Sequence, residues 1–270
     1  PNLNPKTTVQ YEIGVKHRFS EDQVLELKAY WKDMFDYETS QTIRPSNPKY
    51  AQLSFNMYFN ADYARSRGIE AILKSRLFTN WYVDLNFNYS IVTGKSSSPL
   101  DNLLVQAGQL SEKPLGENYM SWDRPLHMFT NISYSHPNLW GFSARLEYES
   151  GRRYTRSIQD TIIVIGNKQF YDGPREDDRP YAFLSDATKN NIDIKFYKTV
   201  NLGQFKLKGY AEVENVFNDL NPRRINPYTG RGYGPGEIYG YRLLNSPNPN
   251  EDPSRYSRPR SMEIGVQFIF

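Results

Sequence analysis

The side chains of this sequence that could perform chemistry are few and scattered. Its three histidines, His17, His127 and His136, form no nucleophile–base constellation with a serine or lysine, and the chain contains no cysteine. A disulfide framework and a zinc–thiolate site are therefore excluded. We expect a protein that is not an enzyme and that carries no cofactor.

Two short motifs resemble ion or phosphate sites. Arg175–Arg179 reads "REDDR", and its three carboxylates could bind a hard cation through oxygen ligands. A solvated loop with flanking arginines explains the same residues, and we predict no metal site. Gly230–Gly236 reads "GRGYGPG", but it lacks the following helix and the Lys-Ser/Thr pair of a phosphate loop, and Pro235 interrupts it.

A segment rich in tyrosine and arginine is the best candidate for binding a ligand. "NPYTGRGYGPGEIYGYR" combines planar side chains with guanidinium groups, which suit polar and stacking contacts. The same side chains could instead pack loop against loop. The candidate ligand-binding residues are Tyr228, Arg231, Tyr233, Tyr239, Tyr241 and Arg242.

Composition excludes several classes of protein. Among 270 residues, 38% are hydrophobic and 15% aromatic, including 21 tyrosines, whereas disordered chains are poor in aromatics. The net charge of +3, from 33 basic and 30 acidic residues, is too small to indicate a nucleic-acid partner. No run approaches 18 consecutive apolar residues, so no transmembrane helix is expected.

Apolar and polar residues alternate along most of the chain, which predicts about nine strands and almost no helix. In "WYVDLNFNYSIVT", Val83 and Leu85 lie on one face, and Asp84 and Asn86 lie on the other. The predicted strands cover roughly residues 8–19, 23–37, 66–77, 81–93, 126–135, 140–149, 191–197, 205–217 and 260–270.

The connections between these strands alternate between short turns and long loops of roughly 28 to 42 residues by the predicted limits. This alternation is typical of outer-membrane barrels, which have short periplasmic turns and long extracellular loops. Aromatic residues lie near both strand ends, as at Trp81 and Tyr89, and would form the two interfacial belts. A large soluble β-sandwich is the alternative, but it should have shorter loops.

The final residues, "EIGVQFIF", resemble the insertion signal of outer-membrane barrels. In that pattern a polar residue is followed by a glycine two residues on, and aromatics follow three and five residues after the glycine. The residues that match it here are Glu263, Gly265, Phe268 and Phe270. A terminal strand with an apolar face would meet lipid and leave no free edge in a closed barrel.

Other segments resemble the C-terminal half of a TonB-dependent receptor, and the resemblance covers nearly the whole chain. "YEIGVKHRFSEDQVLELKAYWKDMFDY" resembles a recurring hairpin of that family, through Tyr11, Glu12, Gly14, Tyr30, Lys32 and Asp33. "SRGIEAILKSRL" resembles the next strand, and "VENVFN" resembles the end of the penultimate strand. "SWDRPLHMFTNISY" and the loop lengths resemble the Oar-like branch.

The resemblance implies an all-β, antiparallel up-and-down transmembrane barrel of about 22 strands. Residues 1–270 would form its C-terminal part, with the plug domain and the N-terminal strands outside this chain. The implied protein lies in the outer membrane of a Gram-negative bacterium. It would bind a large nutrient, such as a siderophore, peptide or glycan, at its extracellular loops and import it with energy relayed by TonB.

Expected partners are outer-membrane lipid and lipopolysaccharide, the barrel-assembly machinery, and TonB through the missing N-terminal region. The remaining barrel strands, or a second chain that supplies them, are also expected partners.

Two other functions stay open. One is a structural or interaction barrel that acts as a scaffold in an envelope complex. The other, an outer-membrane enzyme, is disfavoured by the absence of a nucleophile–base constellation.

Overall fold

Nine long strands form one antiparallel sheet in which each strand pairs with the next along the chain. The computed structural model describes residues 3–107, 117–137, 140–158, 161–172, 175–233, 239–240 and 255–269. The strands are β1 (Thr7–Ser20), β2 (Gln23–Ile43), β3 (Phe55–Leu77), β4 (Trp81–Gly94), β5 (Leu126–Ser135), β6 (Trp140–Glu149), β7 (Lys189–Leu202), β8 (Phe205–Glu214) and β9 (Ser261–Ile269). The predicted all-β meander is confirmed.

The sheet is open within the described residues. β1 pairs only with β2, and β9 pairs only with β8, so each outer strand has one unpaired backbone edge there. An antiparallel transmembrane sheet leaves no such edge in hydrocarbon.

One predicted connection is much shorter than expected. β2 and β3 continue well beyond the predicted limits, and only residues 44–54 connect them, including a 3-10 helix at Pro48–Leu53. The two strands pass an irregularity at Asp36, whose φ is 60°, and then pair again from Glu38–Asn60 to Ile43–Phe55. The apolar alternation stops near this irregularity, which explains why the sequence pattern did not predict the extension.

Side chains of opposite chemistry occupy the two faces of the sheet. One register row joins Val15, Leu27, Ala71, Phe87 and Met128, and all five side chains are apolar. The next row on the opposite face contains Gly14, Lys28, Glu70, Asn88, His127, Glu149 and Lys189. Residues two apart share a face, so Val83 and Leu85 lie on the apolar face, and Asp84 and Asn86 lie on the polar face.

The burial pattern is the reverse of that in a soluble protein. Among the described residues, the buried hydrophobic ones are Ala64, Met120 and Ala187, whereas fourteen polar or charged residues are buried. Ile13 and Ile264 are 77% and 84% exposed on the apolar face. A continuous apolar face of this size indicates contact with lipid, because soluble monomers rarely expose large apolar patches.

Small elements complete the described part of the chain. A short helix, α1, spans Asp101–Gln106, and the two-residue strand Asn118–Tyr119 extends the sheet beside the end of β4. No helix in the described ranges is long and apolar enough to cross a membrane.

Candidate functional site: the extracellular loop layer

Three long connections leave the same end of the sheet and pair with themselves and with one another. They comprise residues 95–125, 150–188 and 215–260, between β4 and β5, β6 and β7, and β8 and β9. In the second connection, Arg153–Tyr154 pairs with Phe183–Leu184, and Ser157–Ile158 pairs with Arg175–Glu176. A hairpin of Thr161–Ile165 and Lys168–Asp172 takes Tyr239–Gly240 of the third connection as a parallel neighbour. We call the described residues of these connections the loop layer.

Asp123 joins the first and second connections to the sheet. Its side chain is fully buried, and one carboxylate oxygen accepts a 2.9 Å hydrogen bond from the backbone N–H of Val92. The other oxygen accepts a 3.0 Å hydrogen bond from Nε of Arg153. The Arg153 guanidinium also stacks 3.8 Å from the ring centre of Tyr119. Removing one member of such a buried pair is costly, because the other charge is left uncompensated.

Burial controls the ionisation of two groups in the loop layer. It raises the pKa of the Asp123 carboxyl above its ordinary value, although the hydrogen bonds from Arg153 and Val92 oppose this shift. Burial also raises the pKa of the Tyr181 phenol, and the nearby Asp101 carboxylate adds to the shift. Asp123 is fully buried and Tyr181 is half-buried, so this part of the loop layer is packed.

The predicted ligand residues Tyr228 and Arg231 lie on a tight turn around Asn226. The buried Asn226 side chain accepts a 3.0 Å hydrogen bond from the backbone N–H of Tyr228, and the backbone N–H of Asn226 donates to the Arg231 carbonyl at 2.7 Å. Backbone hydrogen bonds from Ser157 to Pro227 and from Asp186 to Gly230 hold this turn against the second connection. Tyr228 is half-buried and Arg231 is exposed.

Of the other predicted ligand residues, Tyr233 follows this turn in the chain, whereas Tyr239 belongs to the small sheet. Tyr233 is half-buried, the Arg255 guanidinium lies 4.8 Å from its ring centre, and the hydroxyl of Tyr256 donates to its carbonyl. The backbone of Tyr239 joins the small sheet at Phe170 instead. Tyr241 and Arg242 lie outside the described residues. Tyr228, Arg231 and Tyr233 therefore share one segment, and their use by a ligand stays a prediction.

The "REDDR" segment is held by ion pairs. Asp177 is buried, and its carboxylate accepts hydrogen bonds from the backbone N–H and the Nε of Arg179, both at 3.1 Å. Arg156 lies 3.7 Å from the same carboxylate. These two arginines hold the pKa of Asp177 below its ordinary value. The carboxylate that a cation would need is thus already paired with guanidinium groups.

One group of potential metal ligands lies on the polar face of the sheet. His127, Glu147 and Glu149 bring one ligand atom each within 4.8 Å of one another. Lys189 donates to Glu147 at 2.8 Å and to Glu149 at 3.3 Å, and Arg124 lies 2.5 Å from Glu149. Two cations therefore already neutralise the two carboxylates. The sequence offered no signal for this cluster, because its members come from two strands and meet only through their register.

The C-terminal residues of the predicted insertion signal have a structural role in the sheet. A Cβ on Gly265 would overlap the ring of Tyr210, which lies across this glycine from the neighbouring strand. The Tyr210 hydroxyl donates a 2.8 Å hydrogen bond to Glu263. Phe268 is exposed on the apolar face, and Phe270 lies outside the described residues. Recognition of these residues by an assembly machinery stays a prediction.

Comparison with known proteins identifies the family. The family model described as "TonB dependent receptor-like, beta-barrel" matches residues 1–216. This chain belongs to the TonB-dependent receptors. It is accordingly a protein of the Gram-negative outer membrane, as expected from the alternating strands. Its assignment to the Oar-like branch stays a prediction. A search of curated proteins finds no match.

Solved structures of outer-membrane receptors and transporters share this fold. The outer membrane transporter YddB from Escherichia coli superposes with a TM-score of 0.62 at 11% identity, covering 98% of this chain and 33% of that one. The ferripyoverdine receptor of the outer membrane of Pseudomonas aeruginosa gives 0.55 at 13% identity, covering 99% and 28%. The copper transporter OprC gives 0.50 at 13% identity, covering 99% and 32%. The chain thus spans about a third of the length of these proteins.

Membership of a barrel family assigns the two faces and the two ends of the sheet. In a receptor barrel the apolar face meets lipid, the polar face lines the lumen, and the long connections are extracellular. The loop layer is therefore at the cell surface, above the polar register rows. The family is one of transport receptors rather than enzymes.

Proposed function

We propose that this chain forms the C-terminal part of the barrel of a receptor that imports a large nutrient, with energy relayed by TonB. The supporting observation is the position of the packed loop layer, which joins the extracellular end of a sheet that has one apolar face and one mainly polar face. Ligand sites commonly lie on loops that a rigid scaffold holds in place. The plug domain, the TonB-contact segment and the remaining barrel strands would come from elsewhere in the polypeptide or from a second chain.

The proposed ligand site is the segment of Tyr228, Arg231 and Tyr233. Its turn is held by backbone hydrogen bonds to the second connection, so the side chains are presented on a fixed backbone. Tyrosine and arginine dominate the energetics of many binding surfaces, because they combine large contact areas with polar groups. Siderophores, peptides and glycans all offer acceptors for an exposed guanidinium, and the ferripyoverdine receptor provides a precedent for the first class.

Two measurements on the receptor that contains this chain test the proposal. The first is binding of a panel of ferric siderophores, peptides and glycans to outer-membrane vesicles. Arg231→Ala should weaken binding of the ligand about tenfold, as expected for loss of a charged hydrogen bond. Arg224→Ala is the matched control, since Arg224 is an exposed arginine in the same connection and is not a candidate. Its binding should change less than about twofold.

The second measurement is uptake of the bound ligand by cells with and without TonB. We expect uptake to require TonB, whereas surface binding should not. Binding without TonB-dependent uptake would contradict import and favour the scaffold function. Equal loss of binding in Arg231→Ala and Arg224→Ala would contradict the assigned site.

A further inference from the structure

Two arginines point outward from the middle of β3, on the face that otherwise meets lipid. Arg65 and Arg67 are two apart, so both lie on the face of Ile69. Arg65 is neutralised, because Asp33 and Glu117 each lie 2.7 Å from its guanidinium. Arg67 is exposed, and no carboxylate in the described part of the chain forms an ion pair with it. It therefore contributes a positive charge to this surface.

Trp31 is held beside these arginines. It pairs with Arg67 in the register, and the guanidinium groups of Arg65 and Arg67 lie 5.1 and 5.5 Å from its ring centre. Its indole Nε1 donates a 3.0 Å hydrogen bond to Asp33, the same carboxylate that accepts from Arg65. The indole is thus fixed by a hydrogen bond, and Arg67 projects over it.

The height of Arg67 can be estimated from the strand geometry. Leu77, next to the short turn, lies ten residues from Arg67 along β3. At about 3.3 Å per residue and a tilt of about 40°, this separation is about 25 Å along the membrane normal, which equals the usual height of the apolar band. Because the short turns are periplasmic, Arg67 and Trp31 lie at the head-group level of the outer leaflet.

An apolar groove lies directly below this charged site. Ala29 and Ala71 are small, and larger side chains surround them, which leaves a groove of about 390 Å³. Its apolar lining residues on this face are Ile13, Val15, Leu27, Ala29, Ile69, Ala71 and Phe87. The groove lies one and two register rows below the pair Trp31–Arg67. Further strands that pair with the edge of β1 would extend the sheet sideways and leave this face open.

We propose that Arg67, Trp31 and the groove bind a phosphorylated glycolipid of the outer leaflet, of the lipid A type. The phosphate accepts hydrogen bonds from the Arg67 guanidinium, whose planar donors match phosphate geometry. One acyl chain lies in the groove over Ala29 and Ala71. Charge complementarity and height favour this occupant. In such a lipid the anionic head group lies at the membrane surface and the acyl chain lies below it. Arg67 and the groove have the same vertical order, with the cation above the apolar surface.

The test uses the receptor that contains this chain, reconstituted in phosphatidylcholine nanodiscs with bis-phosphorylated lipid A. Retained lipid A is counted by native mass spectrometry. Arg67→Gln should lower its occupancy about tenfold, as expected for loss of a charged hydrogen bond. The matched control is Lys198→Gln, because Lys198 is an exposed cation on the same face at the opposite end of the barrel, in the row of Trp140. It should leave occupancy unchanged.

Further arms separate the parts of the proposal. Lipid A without phosphates should bind to the unmodified receptor as weakly as phosphorylated lipid A binds to the Arg67→Gln variant. Ala71→Phe fills the groove and should also reduce occupancy; Ala29→Leu replaces it if the first variant does not fold. Equal retention of lipid A with and without phosphates, equal loss in Lys198→Gln, or equally strong retention of phosphatidylglycerol would overturn the proposal. A groove variant that changes the oligomeric state and not lipid A occupancy would show that a second copy occupies the groove, and would also overturn it.

Discussion

Introducing arginine at two adjacent positions of β4 measures directly which face meets lipid. Leu85 lies four residues from Trp81 and four from Tyr89, the aromatic residues near the two ends of the strand, so it lies near the membrane midplane. Its register neighbours are Leu73 and Thr130, and neither carries a countercharge. Leu85→Arg should therefore destabilise the barrel by about 2–4 kcal/mol, the cost measured for arginine at the midplane of such barrels.

Asn86→Arg provides the matched control. Asn86 is the next residue, at nearly the same depth, but on the polar face, where its side chain donates a 3.2 Å hydrogen bond to Asp84. An arginine there faces the lumen, with the Asp84 carboxylate on the same face as a counterion. We expect it to cost less than about 1 kcal/mol, as for other exchanges of surface charge.

The assay is reversible unfolding of the whole receptor from phospholipid vesicles by guanidinium chloride. A difference of 2–4 kcal/mol corresponds to a change of about 30- to 900-fold in the folding equilibrium, so the two variants should have clearly different midpoints. Equal destabilisation by Leu85→Arg and Asn86→Arg would refute the assignment of the two faces.

Three further predictions follow from the loop layer and the sheet. Protease added to intact cells should cleave near Pro99, Pro174 or Pro247; cleavage at "SEDQ" or "HPN" instead would reverse the orientation of the barrel. Gly265→Val should displace the Tyr210 ring and destabilise the barrel by about 1–3 kcal/mol, as overpacking does. Gly209→Val is the control, because nothing lies within 4 Å of the position that a Cβ would take there. Equal unfolding midpoints of the two variants would refute the Tyr210–Gly265 contact. The raised pKa of Asp123 means that the folded state binds the carboxyl proton more tightly than the unfolded state, so the contribution of Asp123 to stability falls as pH rises from about 3.8 through the raised value. This pH dependence should disappear in Asp123→Asn. A profile of thermal melting against pH that does not change in this variant would contradict the prediction.

The transmembrane strands could be predicted because lipid and lumen impose a strict alternation. β5 and β6 have the predicted limits, Leu126–Ser135 and Trp140–Glu149, since the alternation holds over the whole length of both strands. The extension of β2 and β3 could not be predicted, because beyond the membrane neither face meets hydrocarbon and the alternation no longer holds. Its pairing depends on the backbone at Asp36 instead.

The end of β8 illustrates a local signal that the sequence does carry. "VENVFN" resembled the end of the family's penultimate strand, and β8 does end at Glu214. Asn215 and Asn218 have φ values of 51° and 55°, a conformation that asparagine tolerates better than most residues. The Asn215 side chain donates to the carbonyls of Asp219 and Arg258, so the two ends of the long connection are held together.

The candidate site could be predicted only in part. The richness of one segment in tyrosine and arginine was visible, and Tyr228, Arg231 and Tyr233 do share it. The contacts that hold the segment could not be predicted, because they join residues far apart in the chain. Asp123 and Arg153 are thirty residues apart, and Arg152 donates to the carbonyl of Arg223 across seventy-one. Asp123 lies in "SWDRP", and the only signal in this segment was its resemblance to the family.

A structure of the intact receptor in a lipid nanodisc tests the central claim most directly. This chain should be one part of a larger closed barrel, in which the unpaired edge of β1 and the unpaired edge of β9 each hydrogen-bond to a strand outside residues 1–270. The apolar face should contact lipid, and the loop layer should lie at the extracellular mouth. A closed barrel built from residues 1–270 alone, with β1 paired to β9, would contradict this account.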